Sequence, residues 1–438
     1  MEIFGAAVLV LFLAASALVD SFAPVAIRQH KGLGGSAGAS TRSSPGCDDL
    51  VYQQYHRSKT TNTNSNSNTH TLLFAGSPQY QKQEGILSRS ERVGKGSYML
   101  YIDCVDGMSN SCGYEPGHVL ALEIQPPADA NADAVVSDED KDAAEPGSLA
   151  SRINTMSEKA QKDMKNNEGW VRGPYTVSRA YGSSTDANGF QVLVKEVGFK
   201  SHVFATCSEG TPVRFGGKFK VPIAEGILEA AEANDSEDKY RGATQRVVMV
   251  STGVGIGPCV GASEILMDMD SLSSSNDGVE IKSAINTIDL VASFRTREEI
   301  TMASDLDALQ GQQQEGNHPH FRWKSVITGE TGRLSASGPE VLVDQYLQQQ
   351  PAGVRDDVSA IRNTHYHIIG NGQLLNEWTA ALKQAGVPSS RVTTEAYFNH
   401  AAKADPAAVD TIREAILRLD RDARSKEMVS KETSIASA

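Results

Sequence analysis

Two hydrophobic periodicities divide the chain. Between about residues 80 and 216, short runs rich in β-branched and aromatic residues recur: SYMLYIDC (97–104), HVLALEI (118–124), VRGPYTVSRA (171–180), FQVLVKEV (190–197) and TPVRFG (211–216). Gly and Pro bound them, as at Tyr114-Glu115-Pro116-Gly117. Strands of this length between turn residues predict an antiparallel barrel or sandwich. After an acidic linker, EANDSEDKYRGATQ (232–245), the pattern changes. Strand-like runs RVVMVS (246–251), IDLVASF (288–294), FRWKSVIT (321–328), THYHIIG (364–370) and RVTTEAYF (391–398) alternate with helical patterns. Those patterns are CVGASEILMDM (259–269), REEITMASDLDAL (297–309), PEVLVDQYLQQQ (339–350) and QLLNEWTAALKQAGV (373–387). Alternating strands and helices predict a parallel sheet covered on both faces. The expected fold is therefore a two-domain chain, an antiparallel β-barrel over 74–230 followed by an α/β domain over 240–400. The stretch AVDTIREAILRLDRDARSKE predicts an added amphipathic helix in a 401–438 extension. Residues 126–168, acidic and alanine-rich, interrupt the strand pattern and are expected to form an inserted loop.

Ahead of these domains lies an address. Residues 3–19 form one apolar run, and Val19 and Ser21 suit the cleavage site of a signal peptide over 1–21. Residues 22–47 carry no Asp or Glu but include Arg28, Lys31 and Arg42 among many Ser, Ala and Gly. This presequence resembles the bipartite plastid presequences of algae with secondary plastids. A transit peptide and linker over 22–73 would follow the signal, with plastid import expected and plain secretion the alternative. Polar SKTTNTNSNSNTHTL (58–72) is linker by composition. A formal GxSxG at Gly34–Gly38 lacks the strand and helix of a nucleophile elbow and is set aside.

Charge and cysteine content narrow the chemistry. Of 438 residues, 54 are acidic and 41 are Lys or Arg, a formal net charge of −13. Nucleic-acid binding, which needs basic surface, is not expected. Five cysteines, Cys47, Cys104, Cys112, Cys207 and Cys259, show no CxxC spacing, so neither an iron–sulfur cluster, a structural zinc nor a disulfide framework is expected. His365 and His367 lack ligand-spaced partners and are expected to be packed or surface residues. Cys259, after Pro258 at a helix start, is expected to have a lowered thiol pKa and redox sensitivity.

The stretch Thr252-Gly253-Val254-Gly255-Ile256-Gly257-Pro258 ends the first α/β strand and opens a helix. Glycines there let backbone approach a pyrophosphate, and a helix N-terminus offers free N–H groups. Instead of a ribose-binding acid, SFRTRE places Arg295 and Arg297 beyond the next strand, which suits a 2′-phosphate.

Four segments in this order resemble the ferredoxin–NADP reductase superfamily of flavoenzymes, over about residues 80–398. YEPGHVLAL is similar to its Tyr-x-Pro-Gly segment, GPYTVS to its Arg-x-Tyr-Ser/Thr flavin motif, and STGVGIGPCVG to its Gly-Thr-Gly-Ile-Ala-Pro nicotinamide loop. IIGNGQLLNEWTAALKQAGVPSSRVTTEAYF is similar to its Cys-Gly-Pro strand, helix and closing Glu-x-Tyr/Phe. The resemblance implies an FAD-binding barrel and an NAD(P)-binding α/β domain, with hydride transfer between NADPH or NADH and flavin N5. It implies Tyr175 and Thr176 as the catalytic pair, Tyr175 packing on the isoalloxazine and Thr176 hydrogen-bonding near N5. Arg172, Pro174, Ser178, Lys200 and Ser201 would complete the FAD site. Thr252, Gly253, Gly255, Arg295, Arg297, Gly370 and Asn371 would receive the nicotinamide nucleotide.

Two positions depart from the family pattern. Gly173 stands where the family has Arg, with Arg172 and Arg179 as alternatives for the pyrophosphate, and Ile369 stands where it has Cys. These departures carry a second reading, a non-catalytic flavin-binding assembly or regulatory subunit. Tyr397 or Phe398 would cover the flavin or join the core. Electrons would pass to ferredoxin or another plastid partner. Arg172, Arg179, Lys195, Lys200, Arg214, Lys218 and Lys220 form a basic patch for it, or scattered surface charge. No membrane span is expected in the mature protein.

Overall fold

The computed structural model describes residues 82–104, 112–126, 162, 164–183, 186–232, 244–272, 285–311, 319–333, 359–398 and 401–437. The presequence, residues 74–81, nearly all of the acidic insertion and the helix expected over 339–350 lie outside the described residues.

Six strands close into an antiparallel barrel in the order β1-β2-β5-β4-β3-β6. They are β1 (Gln83–Gly94), β2 (Ser97–Cys104), β3 (Val119–Ile124), β4 (Val171–Ser183), β5 (Asp186–Lys195) and β6 (Thr211–Gly216). Inward positions alternate along each strand, as period-two geometry requires. Leu87, Leu100, Ile102, Leu120, Leu122, Val177, Phe190, Val192, Val213 and Phe215 thus fill the barrel. The sequence pattern overlooked β1. Its inward face is small, essentially Gly85 and Leu87, and the rest of the strand is largely polar and solvated. Gly85 is needed there, because a Cβ would collide with the Phe215 ring and with the Asp103 carbonyl of the neighbouring strand.

The second layer system is a five-stranded parallel sheet in the order β11-β10-β7-β8-β9. Its strands are β7 (Arg246–Thr252), β8 (Thr287–Phe294), β9 (His320–Ile327), β10 (Thr364–Asn371) and β11 (Val392–Phe398). One face packs on α3 (Ile256–Leu272), α4 (Ala303–Gly311) and Met99 and Leu193 of the barrel. The opposite face packs on α5 (Gly372–Ala385) and α6 (Pro406–Ser437). Helix α6 is the extension expected at the C-terminus. It buries Ile412, Ile416, Leu419 and Ala423, a stripe at helical spacing. Two further helices, α1 (Phe199–Thr206) and α2 (Ile223–Glu232), flank β6.

Glycines set the seam between barrel and sheet. A Cβ on Gly257 or Gly261 of α3 would fall inside contact distance of Ser178 on β4. The helix therefore lies directly on the barrel strand. Gly257, expected in the loop, serves this packing. Arg179 clamps the seam: its Nε donates to Glu264 of α3 at 2.8 Å and its Nη1 to Asp305 of α4 at 2.9 Å. The Lys95 amide donates to the Glu298 carbonyl at 2.8 Å, and Lys195 lies 3.4 Å from Glu299.

Two cysteine expectations are corrected. Cys104 and Cys112 are joined by a disulfide, eight residues apart. Cys259, in the first turn of α3, is fully buried. Burial, with Glu395 adding to it, pushes its thiol pKa up, so the helix start does not make it reactive.

Candidate functional site

The sheet order places the topological switch point between β7 and β10, where consecutive connections depart to opposite sides. Ligands bind open α/β sheets in the crevice beyond the strand ends at such a point. Thr252 ends β7 there, and Gly370 lies near the end of β10. A Cβ on Gly370, which has φ +157°, would strike the Thr252 side chain, so only Gly lets the two strand ends approach. Gly253 adopts φ +55° with open space where a Cβ would be, a free approach to its backbone. Gly255 is different. It is buried against Ile369, with a Cβ position 3.1 Å from that side chain, and acts in packing. Asn371 caps α5, its Oδ1 accepting from the Leu374 amide at 3.0 Å.

The barrel contributes β4 to the same place. Thr176 is buried and its Oγ1 donates to Oε1 of Glu395 on β11. Glu395 is itself 3% exposed. Burial raises its pKa, opposed by Lys220 and by the Thr176 hydrogen bond. Tyr397, two residues on, packs against the core beside α3, and burial raises its phenol pKa well above the ordinary value. Sequence reasoning quoted the Glu-x-Tyr segment but gave Glu395 no role. Its importance is visible only once β11 and β4 meet.

Tyr175 is half-buried and stands edge-on to Phe204 of α1, with ring centroids 4.8 Å apart. Its ring also lies over Gly173, where a Cβ would come 2.9 Å from the Tyr175 ring. The absence of a side chain at Gly173 thus makes room for the Tyr175 ring.

Several residues expected at the pyrophosphate are otherwise engaged. Ser178 is fully buried in the seam, its Oγ accepting from the Leu193 amide at 3.2 Å, so it is not a ligand position. The Ser201 Oγ accepts from the Val197 and Gly198 amides at 2.9 and 3.1 Å and donates to the Gly198 carbonyl at 3.0 Å. It caps the start of its own helix. Arg179 is spent on the clamp described above. Arg172 lies 3.6 Å from Glu123, Lys200 is half-buried at the start of α1, and Pro174 is exposed on β4. Of the two arginines expected at a 2′-phosphate, Arg297 is held by Glu330 through two hydrogen bonds of 2.8 and 2.9 Å. Arg295 is exposed beyond the carboxyl end of β8.

Most of the cations expected in the basic patch are engaged in place, three of them by carboxylates. Arg172, Arg179 and Lys195 face carboxylates, Lys218 donates to the Gly113 carbonyl, and Arg214 stacks over Trp170 at 4.1 Å. His365 and His367 are packed, as expected. Both ring systems contact the Thr393 Oγ1 at 2.9 Å, and burial drives both pKa values down to about 3. Among the described residues no cluster of three His, Cys, Asp or Glu could hold a metal, and no helix is long and apolar enough to cross a membrane.

A closed antiparallel barrel, joined through a tight seam to a five-stranded parallel sheet, defines a two-domain fold. No family model matches the chain, and no curated protein matches it. Several solved structures are similar to it over part of its length. One is a ferredoxin NADP+ reductase from Neisseria gonorrhoeae with bound FAD and NADP, 15% identical, with TM-score 0.44, covering 72% of this chain and 99% of that one. Another is the FAD/NAD-binding domain of a nitric oxide dioxygenase from Vibrio cholerae, 13% identical, with TM-score 0.41, covering 72% and 98%. A third is a ferredoxin–NADP+ reductase from Plasmodium falciparum, 11% identical, with TM-score 0.41, covering 72% and 96%.

Proposed function

We propose that the chain is an FAD-dependent NAD(P)H oxidoreductase, delivered to a plastid by its presequence. The observation that carries this is the buried Thr176–Glu395 pair, a hydroxyl bonded to a carboxyl, brought together from barrel and sheet, the carboxyl on β11 opposite Ile369 of β10 and one strand from the switch point. The residues present fit a flavin ring and a nicotinamide nucleotide there. Thr176 offers a hydroxyl to a ring nitrogen, Tyr175 an aromatic wall, and Gly253 an open backbone at a helix start. The pyrophosphate would rest on Arg172, Lys200 and the backbone at the start of α1, since Ser178 and Ser201 are engaged. When bound, the flavin supplies the redox chemistry, taking two electrons from the nicotinamide and releasing them singly or as a pair.

The chain's own part is positioning and proton handling. Thr176 holds a proton at Oγ1 and Glu395 accepts or returns it, while Tyr397 and Ile369 exclude water from the pair. Arg295 supports a preference for NADPH, because a free exposed cation beyond β8 suits a 2′-phosphate. The acceptor, ferredoxin or another plastid partner, would meet a molecule of net charge −13 in which Arg172, Arg179 and Lys195 of the barrel already face carboxylates.

The visible spectrum of the purified full chain, supplied with FAD and then anaerobic NADPH or NADH, tests this. A bound-flavin spectrum that bleaches supports it, with NADPH faster than NADH and the preference lost in Arg295→Ala. A flavin that binds but stays oxidised with both nucleotides favours a non-catalytic flavin-binding subunit. A chain that takes up no flavin overturns both readings.

A further inference from the structure

Lys220 occupies an unexpected position. Sequence reading placed it among surface cations, yet it lies between β6 and α2 with its Nζ donating to the Thr394 carbonyl at 2.8 Å. That carbonyl belongs to the residue preceding Glu395, so the ammonium is pinned to the edge strand beside the buried carboxyl. The contact also ties the barrel's last connection to the sheet.

The other groups around this pair are uncharged. Tyr397 on the same strand and Cys259 from α3 both have pKa values raised by burial, and both interact with Glu395. His367 from β10 faces Lys220, and its pKa is about 3 because it is buried, with His365 and Lys220 adding to the effect. Thr176 from β4 donates a neutral hydrogen bond. Among the described residues, Lys220 is thus the cation that acts on Glu395. Burial lowers its pKa, while Glu395 raises it, so the two groups are energetically coupled.

We infer that Lys220 is the positioning residue that decides whether the Glu395 carboxyl holds a proton. When the carboxyl is protonated its own O–H donates to Thr176 Oγ1 and the Thr176 hydroxyl turns to a bound ligand. With the ammonium in place to stabilise the carboxylate, the carboxyl proton passes to Oγ1 as the hydroxyl proton passes to the ligand. Thr176 is then left donating to the carboxylate, the arrangement seen in the structure. One proton leaves the carboxyl, one reaches the ligand, and the hydroxyl is unchanged. Without the ammonium, a carboxyl this buried keeps its proton. The functional consequence rests on the oxidoreductase reading above; the coupling itself does not.

The test uses the full chain with no nucleotide added, labelled with carboxyl-13C glutamate and titrated by NMR. Glu395→Gln identifies the Glu395 signal by its loss. Lys220→Met should raise that signal's midpoint by about one pH unit or more. Lys220→Arg, which restores the charge, should bring it back toward the parent value. An unchanged midpoint in folded Lys220→Met overturns the inference. Should that variant fail to fold, the reciprocal measurement decides. Glu395→Gln should lower the Lys220 midpoint, followed at 13Cε and assigned by Lys220→Arg, since coupling acts equally both ways. A lysine titration that does not move overturns it equally. A flavin test that fails while these midpoints shift would sink the oxidoreductase reading and leave Lys220's role standing.

Discussion

His365 and His367 share one hydroxyl. A neutral imidazole has one donor and one acceptor nitrogen, so Thr393 can accept from one ring and donate to the other, provided neither ring is charged. The second nitrogens, His365 Nδ1 and His367 Nε2, are buried without a partner. Protonating either ring would bury a cation near Arg391 or Lys220. The folded pKa values, about 3, lie below the unfolded value of about 6.5. Below about pH 6.5 the unfolded chain therefore binds more protons than the folded one. The contribution of these residues is complete above that pH and declines on acidification towards 3, by about 1.4 kcal/mol per pH unit for each histidine. His118, held at about 4 by burial and then Lys218, adds to the same slope. Urea midpoints should fall steeply between pH 7 and pH 5. In Thr393→Val the loss at pH 7 should be about 1–3 kcal/mol, because two more buried nitrogens lose their partner. A midpoint flat across that range would show that these rings are not buried as neutral groups.

Helix α3 was legible from its apolar pattern, but the reason for its glycines was not. The loop Gly253–Gly257 reads as a single nucleotide-binding device, and the structure divides it. Gly253 is open, Gly255 packs on Ile369, and Gly257 lies with Gly261 against β4. A glycine that admits a ligand and one that admits a neighbouring strand look identical in sequence, since both are needed for the missing Cβ. Gly261→Ala would place a methyl against the Ser178 carbonyl, which is backbone and cannot rotate away. Loss of about 1–3 kcal/mol is expected, read by denaturant unfolding. Gly253→Ala, strained only by its positive φ, should cost about 1 kcal/mol and leave the seam intact. Equal losses in the two variants would remove the distinction.

For the whole molecule, one covalent tie and one seam set the arrangement. The Cys104–Cys112 bond joins the end of β2 to the segment entering β3, closing a short loop on the barrel. For a loop of this size, loop-closure entropy alone gives about 2–3 kcal/mol. Reduction, or Cys104→Ser with Cys112→Ser, should lower the unfolding free energy by roughly that amount. If reduction leaves the denaturation curve unmoved, the bond does not constrain the unfolded chain. The seam is the more consequential feature, because Thr176 and Glu395 are 219 residues apart in sequence and meet only when barrel and sheet dock.

What the sequence by itself determined is the local order: where strands and helices fall, that a barrel precedes a parallel sheet, that a glycine-rich turn ends β7, and that an amphipathic helix follows β11. Each of these is written in the periodicity of side chains a few residues apart, the range over which backbone geometry acts. Only the tertiary structure decided which polar groups do what. Arg179 and Ser178 went to the seam, Ser201 to its own helix start, Arg297 to Glu330, and Lys220 from the surface to the side of Glu395. A polar side chain has no periodic signature of its partner. Its role is set by whatever the fold brings within hydrogen-bonding distance and by how much water is left there, and both are properties of the packed chain.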